Sequence, residues 1–447
     1  MSSLHFDPST GTWFRETPRT AEEITAWQLE SAWRLAENMA ETNPFYAARL
    51  SLPASRGASA FRTLPVTSKD DIVADRAAHP PYGLRTVVAP EHVRMVVETS
   101  GTSGLGTEVY ALDQSDVDAI VRSEAVGFLW AGITAGTRVL LTLPVGMSAA
   151  GLWYSAALRF IGANVFSVGP YSSARKAHVL GQFEVEVLIG TPTYVQRLAV
   201  VCEDLGFTPA ASSVRTIVVA GQPFSHAWAK GIERRWNAAL YEQYGCTERA
   251  FAWTCPGGVV DETGLRVLHF PPESGYYEVV SRENGEPVAH GEKGELIVTP
   301  FGAESSPLLR YATGDQVRWM APGSCSCRRP LAGVAAGEVE RFDDMMKIKG
   351  VNVWPVAFDR AVFAVEGVSD YRGAVVTTEN GSEQIEIRVE GAGEPQRLTD
   401  AIAASIRGAT GLTAHVVLEP PGTLAREVPE GFVKVKRMQD RRERRLA

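Results

Sequence analysis

Short apolar runs alternate with longer segments of helical periodicity between residues 139 and 236, and this alternation restricts the fold more than any other feature. The apolar runs are Val139–Leu143, Asn164–Val168, Val185–Ile189 and Thr216–Ala220. The helix-like segments are Ala149–Ile161, Ser173–Gln182, Tyr194–Leu205 and Ser225–Trp236. Because parallel strands must be joined by long crossovers that are usually helical, the pattern predicts an α/β fold with a mostly parallel sheet.

The regions on either side of this core have different patterns. Residues 19–50 carry apolar residues at helical spacing that stops at Asn43-Pro44, which predicts an N-terminal helical segment. Residues 264–317 change to short strands and turns, a β-rich portion. After Arg341 the order is strand, strand, helix, strand, through Ala374–Thr377, Ile385–Val389, Arg397–Arg407 and Ala414–Leu418. For a chain of 447 residues we therefore expect a large N-terminal domain, 1–340, and a small C-terminal α/β domain, 341–447.

The charge and cysteine content exclude several classes of protein. A formal net charge of −8 disfavours an extended surface for nucleic acid or anionic membrane. The uncharged stretch between Arg138 and Arg159 contains Pro144, Gly146 and Gly151, so we interpret it as strand, turn and helix, not as a membrane span. No secretory signal is visible, which favours the cytoplasm, and five cysteines, an odd number, disfavour a disulfide framework.

A loop rich in Gly, Ser and Thr, ETSGTSGLGT at 98–107, follows the apolar run Val93–Val97. Its backbone N–H groups and hydroxyls suit phosphate oxygens. The residues offered are Thr99, Ser100, Gly101, Thr102, Ser103 and Gly104. It lacks the lysine of a Walker loop, and a plain turn remains an alternative.

Two further motifs combine polar groups suited to a nucleotide. In YEQYGCTE, 241–248, Tyr244 beside Gly245 can stack on a purine, Thr247 can contact a phosphate, and Glu248 can bind magnesium, which prefers carboxylate and phosphate oxygens. In YATGD, 311–315, Asp315 is suited to a ribose diol. A polar turn at a strand end is the alternative for each.

Two segments near the C-terminus offer a hinge and a basic group. RFDDMMKIKGVNVWP, 341–355, places two acids between a basic residue and an apolar strand, as in an interdomain turn. KVKRMQDRRERRLA, 434–447, has seven basic residues against two acidic ones. It is either a solvated tail or the carrier of an active-site lysine.

Taken in order, these motifs resemble those of the adenylate-forming superfamily, which includes acyl-CoA synthetases, luciferase and peptide-synthetase adenylation domains, and in particular those of the phenylacetate–CoA ligases. The resemblance lies in ETSGTSGLGT, YGCTE, YATGD and RFDDMMKIKGVNVWP, with weaker likenesses at NPFYAARL, LPVTSKDDI, GTPTYVQRL, AGQPFS and KVKRMQDRR. It implies a mobile C-terminal domain. It also implies activation of a carboxylic acid by ATP and Mg²⁺ to an acyl-adenylate, followed by transfer of the acyl group to the thiol of coenzyme A.

The resemblance also implies roles for single residues. Tyr244 would flank the adenine, Thr247 would contact the α-phosphate and Glu248 would bind Mg²⁺. Asp315 and Arg341 would hold the ribose, and Gly221, Gln222, Pro223 and Gly245 would complete the nucleotide site. Asp343, within 341–344, would be the hinge. Lys434 would be the catalytic lysine, although Phe-Val-Lys replaces the usual Glu-Gly-Lys, which leaves Lys436 as a rival.

A second set of residues suits zinc. Cys255, His269, Cys325 and Cys327 form a Cys₃His set, the type of ligand group found in structural zinc sites, and some relatives of the phenylacetate–CoA ligases have such a site. Free thiols are the alternative.

The acid and its acceptor are less restricted by the sequence. Trp153, Tyr154, Tyr194 and Phe224 could line a slot for an aryl acid, or could simply pack in the core. A phosphopantetheine on a carrier protein or an amine could replace coenzyme A, and a homodimer is open. A catalytically silent nucleotide-binding protein is the alternative from another class.

Overall fold

The computed structural model describes residues 5–7, 12–14, 20–99, 107–147, 149–249, 251–262, 264–428 and 435–442. Its strands are β1 (His5–Asp7), β2 (Thr12–Phe14), β3 (Met95–Glu98), β4 (Val109–Leu112), β5 (Arg138–Leu141), β6 (Asn164–Ser167), β7 (Val187–Gly190), β8 (Thr216–Ala220), β9 (Ala239–Gly245), β10 (Phe251–Thr254), β11 (Val267–His269), β12 (Gly275–Val280), β13 (Lys293–Pro300), β14 (Tyr311–Met320), β15 (Gly333–Ala335), β16 (Glu340–Arg341), β17 (Met346–Ile348), β18 (Val351–Val353), β19 (Val368–Thr377), β20 (Glu383–Gly391), β21 (Ala414–Glu419) and β22 (Met438–Asp440). Its α-helices are α1 (Ala21–Thr42), α2 (Pro44–Ala47), α3 (Ala58–Arg62), α4 (Lys69–Ala78), α5 (Gln114–Trp130), α6 (Ala149–Phe160), α7 (Ser173–Gln182), α8 (Pro192–Asp204), α9 (His226–Trp236), α10 (Pro355–Phe363), α11 (Pro395–Thr410) and α12 (Thr423–Arg426).

The chain divides into two compact units. Unit 1 comprises Met1–Gly169, Tyr241–Val259 and Arg266–Ala336, and unit 2 comprises Pro170–Leu240, Val260–Leu265 and Gly337–Ala447. The boundary predicted at residue 341 does not coincide with this division, because 341–447 is grouped with 170–240. The separation into domains 1–340 and 341–447 therefore stays a prediction.

Unit 1 contains the β-rich portion that the sequence predicts. Strands β12, β13, β14, β15, β11, β10 and β9 follow one another in space, and each neighbouring pair is antiparallel. Strands β5 and β6 form a parallel pair joined by α6, and α6 packs against α5. The uncharged stretch after Arg138 is thus a strand, a turn and a helix, as predicted.

Unit 2 contains a parallel pair, β7 and β8, with helices α7, α8 and α9 in the same segment. Its C-terminal part is a sheet of order β21, β20, β19, β22, in which β19 and β20 are antiparallel. Helices α10 and α11 pack against each other, α10 also packs against α9, and α12 packs against α8. The predicted α/β fold is confirmed, including a C-terminal α/β region.

Local signals set the start of the N-terminal helix. Thr20 and Glu23 form a reciprocal capping box at the start of α1, which satisfies N–H groups that have no partner inside the helix. Asn43 ends α1 and its side chain caps α2, where Pro44 occupies the first helical position. The predicted stop at Asn43-Pro44 is therefore confirmed.

The sequence predicts no helix in the segments of α3, α4, α5, α10 and α12, and it predicts β19 to begin at Ala374, six residues after its actual start at Val368. Helix α10 has only nine residues, and its sequence PVAFDRAVF is too apolar to show a helical stripe. Strand β9 runs into the polar motif YEQYGCTE as far as Gly245, because Gln243 and Tyr244 pair with β10 despite their polar groups. Among the described residues, no helix combines the length and apolar character needed to cross a bilayer.

A polar network is buried in unit 1 between α5, α6 and β9. The Tyr154 hydroxyl donates to the Gln243 side-chain oxygen, and the Gln243 amide donates to Glu124 Oε1 at 3.4 Å. Glu124 is fully buried, and its Oε2 makes no hydrogen bond of good geometry with the described residues. Burial raises the pKa of Glu124 to about 8, because an ionised carboxylate is poorly solvated there. The side chain is therefore a neutral acid at pH 7.

We expect this acid to make the stability of unit 1 depend on pH. The folded pKa of about 8 exceeds the ordinary value of 4.5. The contribution of Glu124 to the free energy of unfolding is therefore complete below pH 4.5. It is lost as the pH rises through 8, at about 1.4 kcal/mol per pH unit between those values. Glu124→Gln, which keeps the shape without the ionisation, should gain thermal stability relative to wild type as the pH rises from 5.5 to 8. Melting curves at four pH values measure this, with the exposed change Glu30→Gln as control. Parallel pH profiles for wild type and Glu124→Gln would contradict it.

Candidate functional site

The predicted phosphate loop lies at the turn of a two-stranded hairpin in unit 1. Strands β3 and β4 are antiparallel, with Glu98 opposite Val109. Beyond this pair, Thr99 N–H donates to the Glu108 carbonyl at 3.0 Å, Glu108 N–H donates to Thr99 Oγ1 at 2.8 Å, and the Thr107 hydroxyl donates to Glu98 at 2.5 Å. The base of the loop is thus fixed at both ends. Of its predicted residues only Thr99 is described; Ser100, Gly101, Thr102, Ser103 and Gly104 lie outside the described residues.

The hydroxyl of Tyr311 joins this loop to the two other motifs of unit 1. It lies 3.2 Å from both carboxylate oxygens of Glu108 and 3.3 Å from Glu248 Oε1. Glu108 directly follows the phosphate loop, Glu248 belongs to YGCTE, and Tyr311 opens YATGD. Segments that lie 63 and 203 residues from Tyr311 in the sequence therefore meet at its hydroxyl group.

A second contact joins YEQYGCTE to YATGD. The Tyr244 hydroxyl donates to Asp315 Oδ2 at 2.6 Å, and both side chains are buried. Asp315 N–H in turn donates to Thr313 Oγ1 at 3.1 Å. Burial and the neighbouring Asp315 carboxylate raise the pKa of Tyr244 well above its ordinary value, so this phenol stays a donor. Two residues predicted for adenine and ribose are thus brought together.

Glu108 was missed by the sequence analysis. It is buried, and burial together with the charge of Glu248 raises its pKa to about 7. The Tyr110 hydroxyl donates to it at 2.6 Å, and Lys69 Nζ lies 3.8 Å away. One signal was available: an acid directly after a glycine-rich loop and inside the apolar run EVYAL.

The residue after Glu248 has an unusual backbone. Arg249 has φ of 67°, a left-handed conformation that is unfavourable for a non-glycine residue. Its buried guanidinium holds it there, donating to Asp116 Oδ2 at 3.1 Å and to the Gly302 carbonyl at 2.7 Å. Asp116 also accepts from the N–H groups of Glu304 and Ser305. The direction in which the chain leaves Glu248 is therefore set by a buried ion pair.

In unit 2 the predicted nucleotide loop Gly221–Pro223 follows strand β8. Gly221 has φ of 79°, so the turn requires a residue without Cβ. The Gln222 side-chain oxygen accepts from the Thr193 hydroxyl at 2.8 Å, and its amide donates to the Val435 carbonyl at 2.8 Å. Gln222 thereby ties the loop to the start of α8 and to the C-terminal segment.

The predicted hinge and lysines lie in the same unit. Arg341 forms an ion pair with Asp343 at 3.3 Å, and Asp343 is largely exposed. Lys436 pairs with Asp344 at 2.6 Å. Lys434 lies outside the described residues, so the choice between Lys434 and Lys436 stays a prediction.

The four aromatic residues predicted for the acid pocket are all buried. Tyr154 packs edge-to-face on Phe128, and Phe224 packs on Trp228. The Tyr194 hydroxyl lies 3.1 Å from Ser173 Oγ. These contacts account for three of them as core residues, and the assignment to a pocket stays a prediction.

The predicted Cys₃His set comes together in unit 1. The ligand atoms of Cys255, His269, Cys325 and Cys327 all lie within 4.8 Å of one another. Cys255 Sγ is 3.9 Å from Cys325 Sγ, and Cys327 Sγ is 3.3 Å from His269 Nε2. The other ring nitrogen of His269 lies 3.2 Å from the Leu331 carbonyl, which orients the ring. Hydrogen bonding from the neighbouring thiols of Cys255 and Cys327 lowers the pKa of Cys325, so thiolate character is concentrated there.

Known proteins are similar to this chain in sequence and in fold, and the similarity extends over nearly its whole length. Phenylacetate–coenzyme A ligase of Thermus thermophilus is 29% identical, over 94% of this chain and 97% of its own length. The Escherichia coli enzyme of the same name is 27% identical, over 83% of each. The fold is similar to 2-hydroxyisobutyryl-CoA ligase in its postadenylation state, with a TM-score of 0.84, 22% identity and coverage of 98% and 94%. For the thioesterification state of that ligase the TM-score is 0.69.

Two family profiles match. The C-terminal domain of the AMP-binding enzymes matches residues 350–442. The AMP-binding enzyme family itself matches residues 49–301, more than half of the chain, and that range contains the phosphate loop, the Gly221–Pro223 loop and YGCTE. The chain therefore belongs to the AMP-binding enzyme family.

Proposed function

We propose that the chain is an acid–thiol ligase that uses ATP. A carboxylate oxygen attacks the α-phosphate of ATP, giving an acyl-adenylate and pyrophosphate. A thiol then attacks the acyl carbon, giving a thioester and releasing AMP. The observation that carries the proposal is the convergence at Tyr311, which brings the end of the phosphate loop, YGCTE and YATGD to one place. The named coenzyme A ligases among its relatives support coenzyme A as the thiol.

The site residues of unit 1 each have a chemical task in this proposal. The hairpin base at Thr99 and Glu108 holds the phosphate loop, whose N–H groups would neutralise phosphate charge. Asp315, held by Tyr244, would accept from the ribose hydroxyls. Thr247 would donate to the α-phosphate. Attack of one anion on another requires alignment and charge neutralisation, so no covalent nucleophile is needed.

Glu248 fits a magnesium ion that would be bound together with the phosphates. Its carboxylate is oriented by Tyr311 and by the fixed backbone of Arg249, as a hard oxygen ligand should be. When bound, the ion would neutralise charge on the phosphates.

The acid is proposed to be aryl or aryl-like. The support comes from the name of the Thermus thermophilus relative and from Trp153, Tyr154, Tyr194 and Phe224. A carrier-protein phosphopantetheine or an amine is the alternative acceptor. The cytoplasm remains the predicted compartment.

The first prediction of this proposal is acid-dependent return of labelled pyrophosphate into ATP. A panel of aryl, amino-aryl and short aliphatic acids is screened, and thioester formation is then followed with coenzyme A. Glu248→Gln should slow the exchange about 100-fold, because the carboxylate is lost where phosphate charge must be neutralised. Glu262→Gln, an exposed change outside the motifs, should leave it unchanged. Absence of exchange with every acid would support the catalytically silent alternative, and normal exchange by folded Glu248→Gln would remove Glu248 from the site.

The second prediction separates the two half-reactions. We propose that Lys434 stabilises charge only during adenylation and that the C-terminal domain then rotates about Asp343, as the family resemblance implies. Lys434→Ala should abolish adenylate formation yet convert supplied acyl-adenylate to thioester at nearly the wild-type rate. Lys436→Ala is the matched comparison: loss of adenylation in that variant alone would move the role two residues along the chain.

We further propose that the Cys₃His cluster holds a structural zinc ion. In a tetrahedral site with Zn–S bonds near 2.3 Å, neighbouring ligand atoms are about 3.8 Å apart, and the observed separations of 3.3 and 3.9 Å fit this spacing. The metal would cross-link the chain after β10, the end of β11 and the loop between β14 and β15.

The third prediction concerns metal content. Purified protein should contain about one zinc per chain, and Cys325→Ser should lose the metal and lower the melting temperature, because the loop is no longer cross-linked. Cys202→Ser, at a buried cysteine far along the chain from the cluster, should keep the zinc. Zinc well below one per chain in protein never exposed to chelator, with Cys325→Ser equally stable, would contradict it.

A further inference from the structure

We propose that Asp359 is a positioning residue for adenylation, which sets the place of the basic C-terminal segment 435–437 against the loop that follows β8. The inference rests on the proposed function, because it assigns a task to that segment in the first half-reaction. It concerns contacts within unit 2 only.

Arg437 is the anchor of the segment. It is buried, its Nη1 donates to Asp359 Oδ1 at 3.1 Å, and its Nε lies 3.5 Å from Asp370 Oδ1. The guanidinium lies over the rings of Trp228 and Phe363, at 5.5 and 5.1 Å from their centroids. A buried cation between two carboxylates and two aromatic faces has one favourable position, since displacing it would leave charges buried without partners.

The second carboxylate oxygen of Asp359 makes a contact that Asp370 does not make. Its Oδ2 accepts from the backbone N–H of Ser225 at 3.0 Å. Ser225 is the N-cap of α9, and its own hydroxyl accepts from Trp228 N–H at 3.2 Å. Ser225 directly follows Gly221–Phe224, so Asp359 connects Arg437 to the end of the predicted nucleotide loop.

The other side of the loop carries a second connection. Gln222 donates to the Val435 carbonyl, while its side-chain oxygen is held by Thr193. Residue 435 is thereby held by Gln222 inside the loop, and residue 437 is held through Asp359 to Ser225 directly after it. Lys436 lies between them with an exposed side chain paired to Asp344.

Two contacts at the ends of so short a segment define its direction as well as its position. We therefore expect these contacts to matter in adenylation, the half-reaction in which a basic group in this part of the chain must meet the nucleotide. If Asp359 only stabilised Arg437, its loss would affect both half-reactions alike. Asp370, which lies 3.5 Å from the same guanidinium and also pairs with Arg372, is the second comparison.

The test compares Asp359→Asn with Asp370→Asn. Each change removes one carboxylate beside Arg437, but only the first weakens the contact with Ser225 N–H. We expect Asp359→Asn to lower kcat for pyrophosphate exchange at least 10-fold and Asp370→Asn less than 3-fold. With the synthetic adenylate of the acid that wild type exchanges fastest, both should form thioester within 3-fold of wild type.

The possible outcomes are distinct. Equal losses in the two variants, or equal loss of both half-reactions in Asp359→Asn, would overturn the inference. Absence of exchange by wild type with any acid would instead overturn the proposed function. If Asp359→Asn does not fold, Ser225→Pro is compared with Ser225→Ala. Both variants lose the cap, but only proline also loses the N–H; the φ of −88° at Ser225 differs by about 23° from the −65° that proline prefers. Loss of exchange in both serine variants alike would overturn it too.

Discussion

Two carboxylates that share one hydroxyl group hold the centre of unit 1 together. Tyr311 can donate its single proton to Glu108 or to Glu248, not to both, and the two acids are buried close to one another. Burial, and in addition the neighbouring charge of Glu248, raises the pKa of Glu108, so the two carboxylates are not both readily ionised. A cation beside Glu248 would relieve the repulsion. A positive charge at this site would therefore stabilise it electrostatically.

The surrounding structure supports this arrangement at a cost in backbone strain. A non-glycine residue at positive φ is disfavoured by about 1 kcal/mol or more, and Arg249 occupies that conformation directly after Glu248. The buried pair with Asp116 offsets the strain, and Asp116 is satisfied further by two backbone N–H groups. Unit 2 uses the same device at Arg437, where a buried guanidinium fixes a short segment. In both places a buried charged group determines the direction of the backbone beside it.

The sequence predicted the fold class, most of the strands between 139 and 220, and the motifs that meet at Tyr311. These signals are local: apolar periodicity, glycine-rich loops and the order of short motifs. It did not predict Glu108, Asp116 or Asp359, because their roles depend on partners that are distant in the chain. Glu108 alone has a local signal, its position directly after the glycine-rich loop. Helix α10 was missed for a related reason, since burial on most sides removes the polar stripe that identifies a helix.

Gly245 is predicted to belong to the nucleotide site, and the structure gives it a second constraint. A Cβ atom at this position would lie 2.4 Å from Gln243 Nε2 and 3.1 Å from its Oε1. That side chain is not free to retreat, since it bridges Tyr154 and Glu124. The order in which these positions can change during evolution is therefore restricted. A smaller residue at position 243 would make room for a side chain at position 245, and Glu124 would then lose its hydrogen bond with the Gln243 amide.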